Sequence, residues 1–327
     1  MKKMFTVCGI VLLAAAVAVV LASRNRRKPP PGVADPLSQA GVRVKAVMHS
    51  HEPIGHREVV AASRAVAIVC GEDAASADRY EVRNNALRSI ARRRDLPTND
   101  VLALLDYLSG TNDPLRVERI AALKNDVMNL LRNQNPPPRD LEETLIAMFD
   151  GGTHPTVVLD YCIQHLGAMV NELGEEGRRR AREVLVRAAG QIRQPYAGTA
   201  LYSLAEDRRA TSVQQSELKR LTVALCKPDV SPVARIAAIQ LAGQRGYGDI
   251  LPTLRGTLSS SSRDAVLDIV TIGSIGLLGD TEDIELLLRF AGDARRGTAV
   301  DAAVKRIRER ENDDGFLKNR RNDEHNP

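Results

Sequence analysis

The stretch VARIAAIQLAGQRGYGDILPTL, residues 233–254, restricts what this chain can fold into more than any other. Val233, Ile236, Ile239 and Gly243 recur every three or four residues, the spacing of one helical face. Ser231 is suited to the N-cap and Pro232 to the first helical position, because a helix start leaves backbone N–H groups that a serine oxygen can accept from and a proline does not add to. Gly243 and Gly246 then end the helix. Asp249 opens a second one with Ile250, Leu251, Leu254 and Leu258 on its apolar face. A shift of 33 residues carries Val233, Ile236, Ile239, Gly243 and Gly246 onto Val266, Ile269, Ile272, Gly276 and Gly279. Past the turn, a shift of 34 carries Asp249, Ile250, Leu254 and Arg255 onto Asp283, Ile284, Leu288 and Arg289. Agreement in register over two helices marks a stacked repeat, in which a hairpin too small to bury its own apolar face is closed by its neighbours. In this reading the small residues let the two helices of a pair approach, the glycines form the turn, and the aspartate caps the second helix.

AAIQLAGQRGYGDILPTL and IGSIGLLGDTEDIELLL resemble bacterial HEAT-type repeats. The resemblance implies an all-α fold, a right-handed alpha-alpha superhelix (solenoid) of about six or seven helical pairs. Degenerate helical segments continue on both sides. YAGTALYSLAE, SELKRLTVALC, TVVLDYCIQHLGAMV and RRRAREVLVRAAGQI lie upstream, preceded by RVERIAALKNDVMNLLRN, LEETLIAMF, YEVRNNALRSIARR and DVLALLDYL. AVDAAVKRIRERE follows as a lone helix whose late charges suit a solvent-facing end. Aromatic residues make up only 3% of the chain, and Trp is absent, which a core of Ala, Leu, Ile and Val at helical spacing tolerates. The expected divisions are 1–28, 29–45, a repeat domain over 46–311, and a charged, disordered tail over 312–327.

MKKMFTVCGIVLLAAAVAVVLASRNRRK opens the chain with a basic start, an apolar run from Met4 to Ala22, and a basic stop. As a helix the run is about 28 Å long at about 1.5 Å per residue, close to the hydrocarbon thickness of a bilayer. Its length and the basic cluster after it favour a retained single-pass anchor over a cleaved signal peptide, although Val20-Leu21-Ala22 would serve as a cleavage site. The flanking charges nearly balance, so orientation rests on the exported look of the start, which tips the body to the outer side of an inner membrane. PPPGVADPLSQ then reads as an extended stalk. Residues 1–28 hold six positive charges, on Lys2, Lys3, Arg24, Arg26, Arg27 and Lys28, and no acid; taking these from the net charge of +5 leaves −1 on the other 299 residues. A near-neutral body has no broad field for phosphates, which argues against a nucleic-acid partner.

No motif assembles a reaction. His49, His51, Glu52 and His56 are the densest metal-type cluster. Their His-Glu-x-x-x-His spacing misses the one-turn register that puts two imidazoles on a metal, and Pro53 and Gly55 break the helix that would align them. No metal, nucleotide or other cofactor is expected. Cys70, Cys162 and Cys226 sit in apolar helical contexts and read as small core residues. Arg178, Arg179, Arg180, Arg182 and Arg187 alternate with Glu175, Glu176 and Glu183, the pattern of a solvated helix face. Two features ask for another reason. Asn125, Asn129 and Asn133 recur every fourth residue, although Asn is a mediocre helix former. Asp160, Gln164 and His165 share one helix.

The expected protein is a membrane-tethered scaffold that binds a protein or peptide partner on its concave face, through Asn125, Asn129, Arg132, Asn133, Gln164 and His165. The alternative is an enzyme or enzyme subunit, a lyase-like HEAT protein, which would need a pocket with convergent polar groups of shifted pKa.

Overall fold

The computed structural model describes residues 56–260 and 264–323, with side chains over 59–260 and 264–312. The expected anchor, the stalk, His49, His51 and Glu52 lie outside the described residues. So do the side chain of His56, the side chains of residues 313–323 and all of residues 324–327.

The described chain is all-α, with 71% of residues helical and no strand among them. In chain order the helices are α1 (His56–Cys70), α2 (Tyr80–Ile90), α3 (Thr98–Ser109), α4 (Val117–Arg132), α5 (Asp140–Gly151), α6 (Thr156–Met169) and α7 (Glu175–Gly190). They continue as α8 (Tyr196–Ala205), α9 (Ser212–Leu225), α10 (Pro232–Arg245), α11 (Leu251–Ser259), α12 (Ala265–Leu278), α13 (Asp283–Leu288) and α14 (Gly297–Asp323). A single 3-10 turn, Gly248–Ile250, precedes α11.

Neighbouring helices pack in two interleaved rows. Each even-numbered helix from α2 to α14 lies against the next even one, most extensively from α6 onward. Odd helices pack on the even helix that follows them, as α7 does on α8, α9 on α10 and α11 on α12. The hairpin read from residues 233–254 is therefore out of phase by one helix: α11 lies chiefly against α12, not against α10. Hydrophobic period identifies buried positions, but both helices flanking α11 offer an apolar face, so period alone does not choose between them.

The glycines explain why the even row is tight. A methyl on Gly167 of α6 would collide with the Ser203 Cβ of α8, and one on Gly198 of α8 would lie 2.9 Å from Ala237 of α10. Gly243 of α10 meets Ser274 of α12 in the same way, and Gly276 of α12 meets the backbone of Ala303 on α14 at 2.7 Å. Gly243 and Gly276 are thus interior helix positions at crossings between successive even helices, not turn residues. The turn after α10 is made by Gly246, whose φ of +72° suits a residue without Cβ. The aspartates do not cap either. Asp249 lies in the 3-10 turn and pairs with Lys219 at 2.6 Å, while the buried Asp283 accepts from the Asp280 N–H and binds Arg255. Pro232 does open α10, but the Ser231 side chain makes no capping bond.

Arginine–aspartate clasps, each with its carboxylate buried, join consecutive parts of the stack. Arg83 on α2 is fully buried; it binds both oxygens of Asp113 at 2.9 Å and gives its Nε–H to the Val69 carbonyl. Arg178 and Arg182 on α7 converge on Asp207 at 3.1 and 3.2 Å. Arg255 reaches Asp283 at 2.6 Å and Arg296 reaches Asp268 at 2.7 Å. Taking Arg83, Arg178 and Arg182 out of water is tolerable only because each guanidinium is paired and hydrogen-bonded. Lys124 is buried as well. Its Nζ donates to the Leu108 and Gly110 carbonyls at 2.6 and 2.5 Å, filling acceptors left open at the end of α3, and burial pulls its pKa down to about 8.

Candidate functional site

The outward face of the even row can be read helix by helix from the crossings. On α10, Ala234 and Ala237 face α8 and Gly243 faces α12. The side chains between those flanks are Val233, Gln240 and Gln244, all at least partly exposed. On α12, Ser274 faces α10 and Gly276 faces α14, leaving Val266, Gly273 and Leu277 outward. The same construction puts Thr199, Tyr202 and Glu206 outward on α8. On α6 it selects Gln164 and Ala168, and on α4 Asn125, Asn129 and Asn133.

Hydrogen bonds stitch this face across the helices. His165 Nε2 and Asn125 Oδ1 are 3.2 Å apart, joining α6 to α4. The Gln164 amide donates to Asp160 Oδ2 at 3.2 Å, and the Thr199 hydroxyl of α8 approaches the same carboxyl. The Tyr202 hydroxyl donates to Gln240 Oε1 at 3.3 Å, joining α8 to α10. Burial, aided by the charge of Arg132, pulls the His165 pKa down to about 4, so the ring is neutral at neutral pH. Burial raises the Asp160 pKa, against the hydrogen bonds from Thr199 and Gln164 that favour the carboxylate. His165 Nδ1 and Asp160 Oδ1 are buried with no hydrogen-bond partner.

The six residues expected at a partner site fall on one connected patch of α4 and its neighbour α6. Asn125 and His165 touch. Asn129 and Arg132 are half-buried, and Asn133 and Gln164 are exposed. The face extends beyond them through Thr199, Tyr202 and Gln240. No sequence signal marks these three, because their partners lie 38 or 39 positions away.

Over α10 and α12 the face lacks charge. Charged residues make up 27% of the chain, so a 14-residue helix carries about four on average. α12 has one, Asp268, and it is buried against Arg296. The two arginines of α10 both turn away from the face: Arg235 binds the Cys226 carbonyl and Thr257, and Arg245 binds the Ala205 carbonyl. The odd row is different. On α7, Arg179 pairs with Glu176 and Glu183, and Arg187 pairs with Asp150.

The arginine run on α7 corrects the expectation of a solvated stripe. Arg178 and Arg182 are only 6% exposed, turned into the Asp207 clasp, while Arg179, Arg180 and Arg187 make outer ion pairs. Glu175, Glu183, Gln214 and Glu217 line a 520 Å³ cleft above that clasp, between α7 and α9. A second cleft of 290 Å³ lies between Leu102 and Pro136 near the starts of α3 and α5. Neither includes His165 or Asp160. Cys162 and Cys226 are buried and Cys70 partly so; burial pushes each thiol up to about 12, too high to supply a thiolate nucleophile at neutral pH.

The fold places the chain in the class of all-α proteins built from consecutively packed helices. No family model, curated protein or solved structure matches it.

Proposed function

We propose that this chain is a HEAT-type, right-handed solenoid of seven helical pairs, α1–α2 through α13–α14. It binds an extended segment of a partner protein along the even row and catalyses nothing itself. Met4–Ala22 tethers it to a membrane, with the body on the outer side. The observation that carries the reading is the continuous outward face of α6, α8, α10 and α12, uncharged over its last two helices and bridged by side-chain amides and hydroxyls. Amides and hydroxyls offer donors and acceptors together, which suits a peptide backbone of either sequence or direction. A solvent face has no need to exclude lysine, arginine and glutamate, whereas the centre of a protein contact is depleted in charge. The enzyme alternative needs acid and base groups that converge. His165 leans towards α4 and Asp160 towards α8, on opposite flanks of one helix, so they do not form such a pair.

A photo-crosslinking amino acid placed at Gln240 or Gln164 in cells should give a discrete adduct, and one placed at Glu183 on the odd row should not. Adducts from Glu183 with none from either even-row site would refute the placement. The tether is checked in the same cells by whether alkaline washing leaves the full-length chain in the membrane fraction. Release into the wash counts against it.

A further inference from the structure

The odd row is held together in two ways. At the start of the chain its helices pack directly, α1 on α3 and α3 on α5. From α5 onward direct packing falls away, and the steps α7–α9, α9–α11 and α11–α13 have almost none. Ion pairs span these steps instead, one after another. Arg187 of α7 reaches Asp150 of α5 at 2.6 Å, and Arg180 reaches Glu142 at 3.1 Å. Arg182 reaches the other way, to α9, where its guanidinium donates to the Gln214 carbonyl at 3.3 Å and lies 3.8 Å from Glu217. Lys219 of α9 meets Asp249, in the turn that opens α11, at 2.6 Å. Arg255 of α11 meets Asp283, the first residue of α13, at 2.6 Å. Arg187, Asp150, Lys219 and Asp249 are all exposed, and the Arg180 and Arg255 side chains are 38% and 39% exposed.

We propose that these ion pairs are straps that set the spacing of the odd row from α5 to α13, so that ionic strength changes the shape of the body while the even row stays fixed. Each odd helix packs on the even helix that follows it, so α7–α8, α9–α10 and α11–α12 each move as one piece. The pieces meet along the even row, where Gly198 lies against Ala237 and Gly243 against Ser274. These crossings act as pivots, because close-packed small residues do not respond to salt. On the far side, α7 and α9 face each other across the 520 Å³ cleft, whose lining is mainly charged. An exposed ion pair counts for little against a packed interface, but here it meets almost none, so it decides how far the pieces fan apart. Screening reaches it there. The Debye length is about 10 Å at about 0.1 M salt and about 3 Å at about 1 M, no longer than the pairs themselves. Unpaired charged arms brought together would lose their water, so a slackened strap opens the odd side rather than closing it.

The test is pulsed electron–electron distance measurement on the full-length chain in detergent. The spin labels are carried on a genetically encoded keto amino acid, so the native cysteines stay in place. One pair of labels replaces Glu183 of α7 and Gly256 of α11, exposed positions two steps apart on the odd row. The other replaces Glu206 at the end of α8 and Leu277 of α12, exposed positions two steps apart on the even row. Between about 0.1 M and about 1 M sodium chloride the odd-row distance should lengthen by about 5 Å, as a water about 2.8 Å across enters each of the two straps. The even-row distance should not change. Glu217→Gln combined with Asp249→Asn should give the long odd-row distance already at low salt, with no further response to salt. Asp249→Lys alone should lengthen it as well, and adding Lys219→Asp should bring it back, because the reversed pair is again a strap. These are surface positions, and unchanged circular dichroism of each variant guards against misfolding. An odd-row distance that ignores either salt or the Glu217 and Asp249 substitutions overturns the proposal. So does an even-row distance that moves as far as the odd one.

Discussion

Gly273 and Gly276 lie three residues apart on α12, yet alanine should affect them in opposite directions. Inside a helix, alanine is favoured over glycine by about 1 kcal/mol. Nothing lies within 4 Å of a methyl built on Gly273, so Gly273→Ala keeps that gain. A methyl on Gly276 would lie 2.7 Å from both the Cα and the Cβ of Ala303 on α14. Carbon atoms pack best at about 3.5–4.0 Å, so the overlap is about 1 Å, and it is against backbone that cannot rotate aside. Overpacking of this kind costs about 1–3 kcal/mol. With the clash towards the upper end of that range and the helix gain subtracted, Gly276→Ala should lose about 1–2 kcal/mol. For a body of this size about 1 kcal/mol moves the melting midpoint by about 2–4 °C. Differential scanning calorimetry should therefore show Gly273→Ala melting about 2–4 °C higher than the parent and Gly276→Ala about 3–6 °C lower. A Gly276→Ala midpoint at or above the parent's would refute the close crossing of α12 and α14.

Asp113→Ala leaves the guanidinium of Arg83, 1% exposed, without its counter-ion. Breaking a buried pair from one side should cost about 3–5 kcal/mol in urea unfolding, and a loss below about 1 kcal/mol would mean that water reaches Arg83. The buried imidazoles of His165 and His154 have pKa values lowered to about 4, from 6.5 when exposed. Because the unfolded chain binds these protons first, stability should fall as pH drops from about 6.5 towards 4, and the loss should level off below that. His165→Gln should flatten the fall over that interval in unfolding curves taken at several pH values. An unchanged slope would mean that His165 is not buried as a neutral ring.

The helices were legible because their apolar positions repeat every three or four residues, and the match of 233–255 with 266–289 falls on two successive helices of the even row with the turns after them. The asparagine row on α4 and the polar residues of α6 were legible as oddities, and they prove to be neighbours. What could not be read is which neighbour a buried face meets. Gly243 and Gly276 look like turn residues beside Gly246 and Gly279, but small residues serve a crossing as well as a turn, and only the position of α14 distinguishes the two. Arg178 and Arg182 read as solvent-facing because a sequence gives no sign of a carboxylate waiting 29 and 25 positions away, and nothing in the sequence marks Arg83 or Lys124 as buried. Tyr202 and Gln240 are unremarkable until α8 and α10 bring them together.

The two rows of the stack also differ as mechanical elements. Along the even row, helices from α6 to α14 meet through glycine, alanine and serine in hard contact. They cannot come closer, and a small separation forfeits much of their dispersion energy. Along the odd row, α7 and α9 stand apart across a cleft lined by long charged arms that can swing without losing their partners. Over α6–α14 a body built this way would flex as a beam whose neutral axis runs through the even row. Bending opens or closes the odd side and leaves the distances along the even side almost fixed. A segment lying on that side would keep its register while the protein bends beneath it.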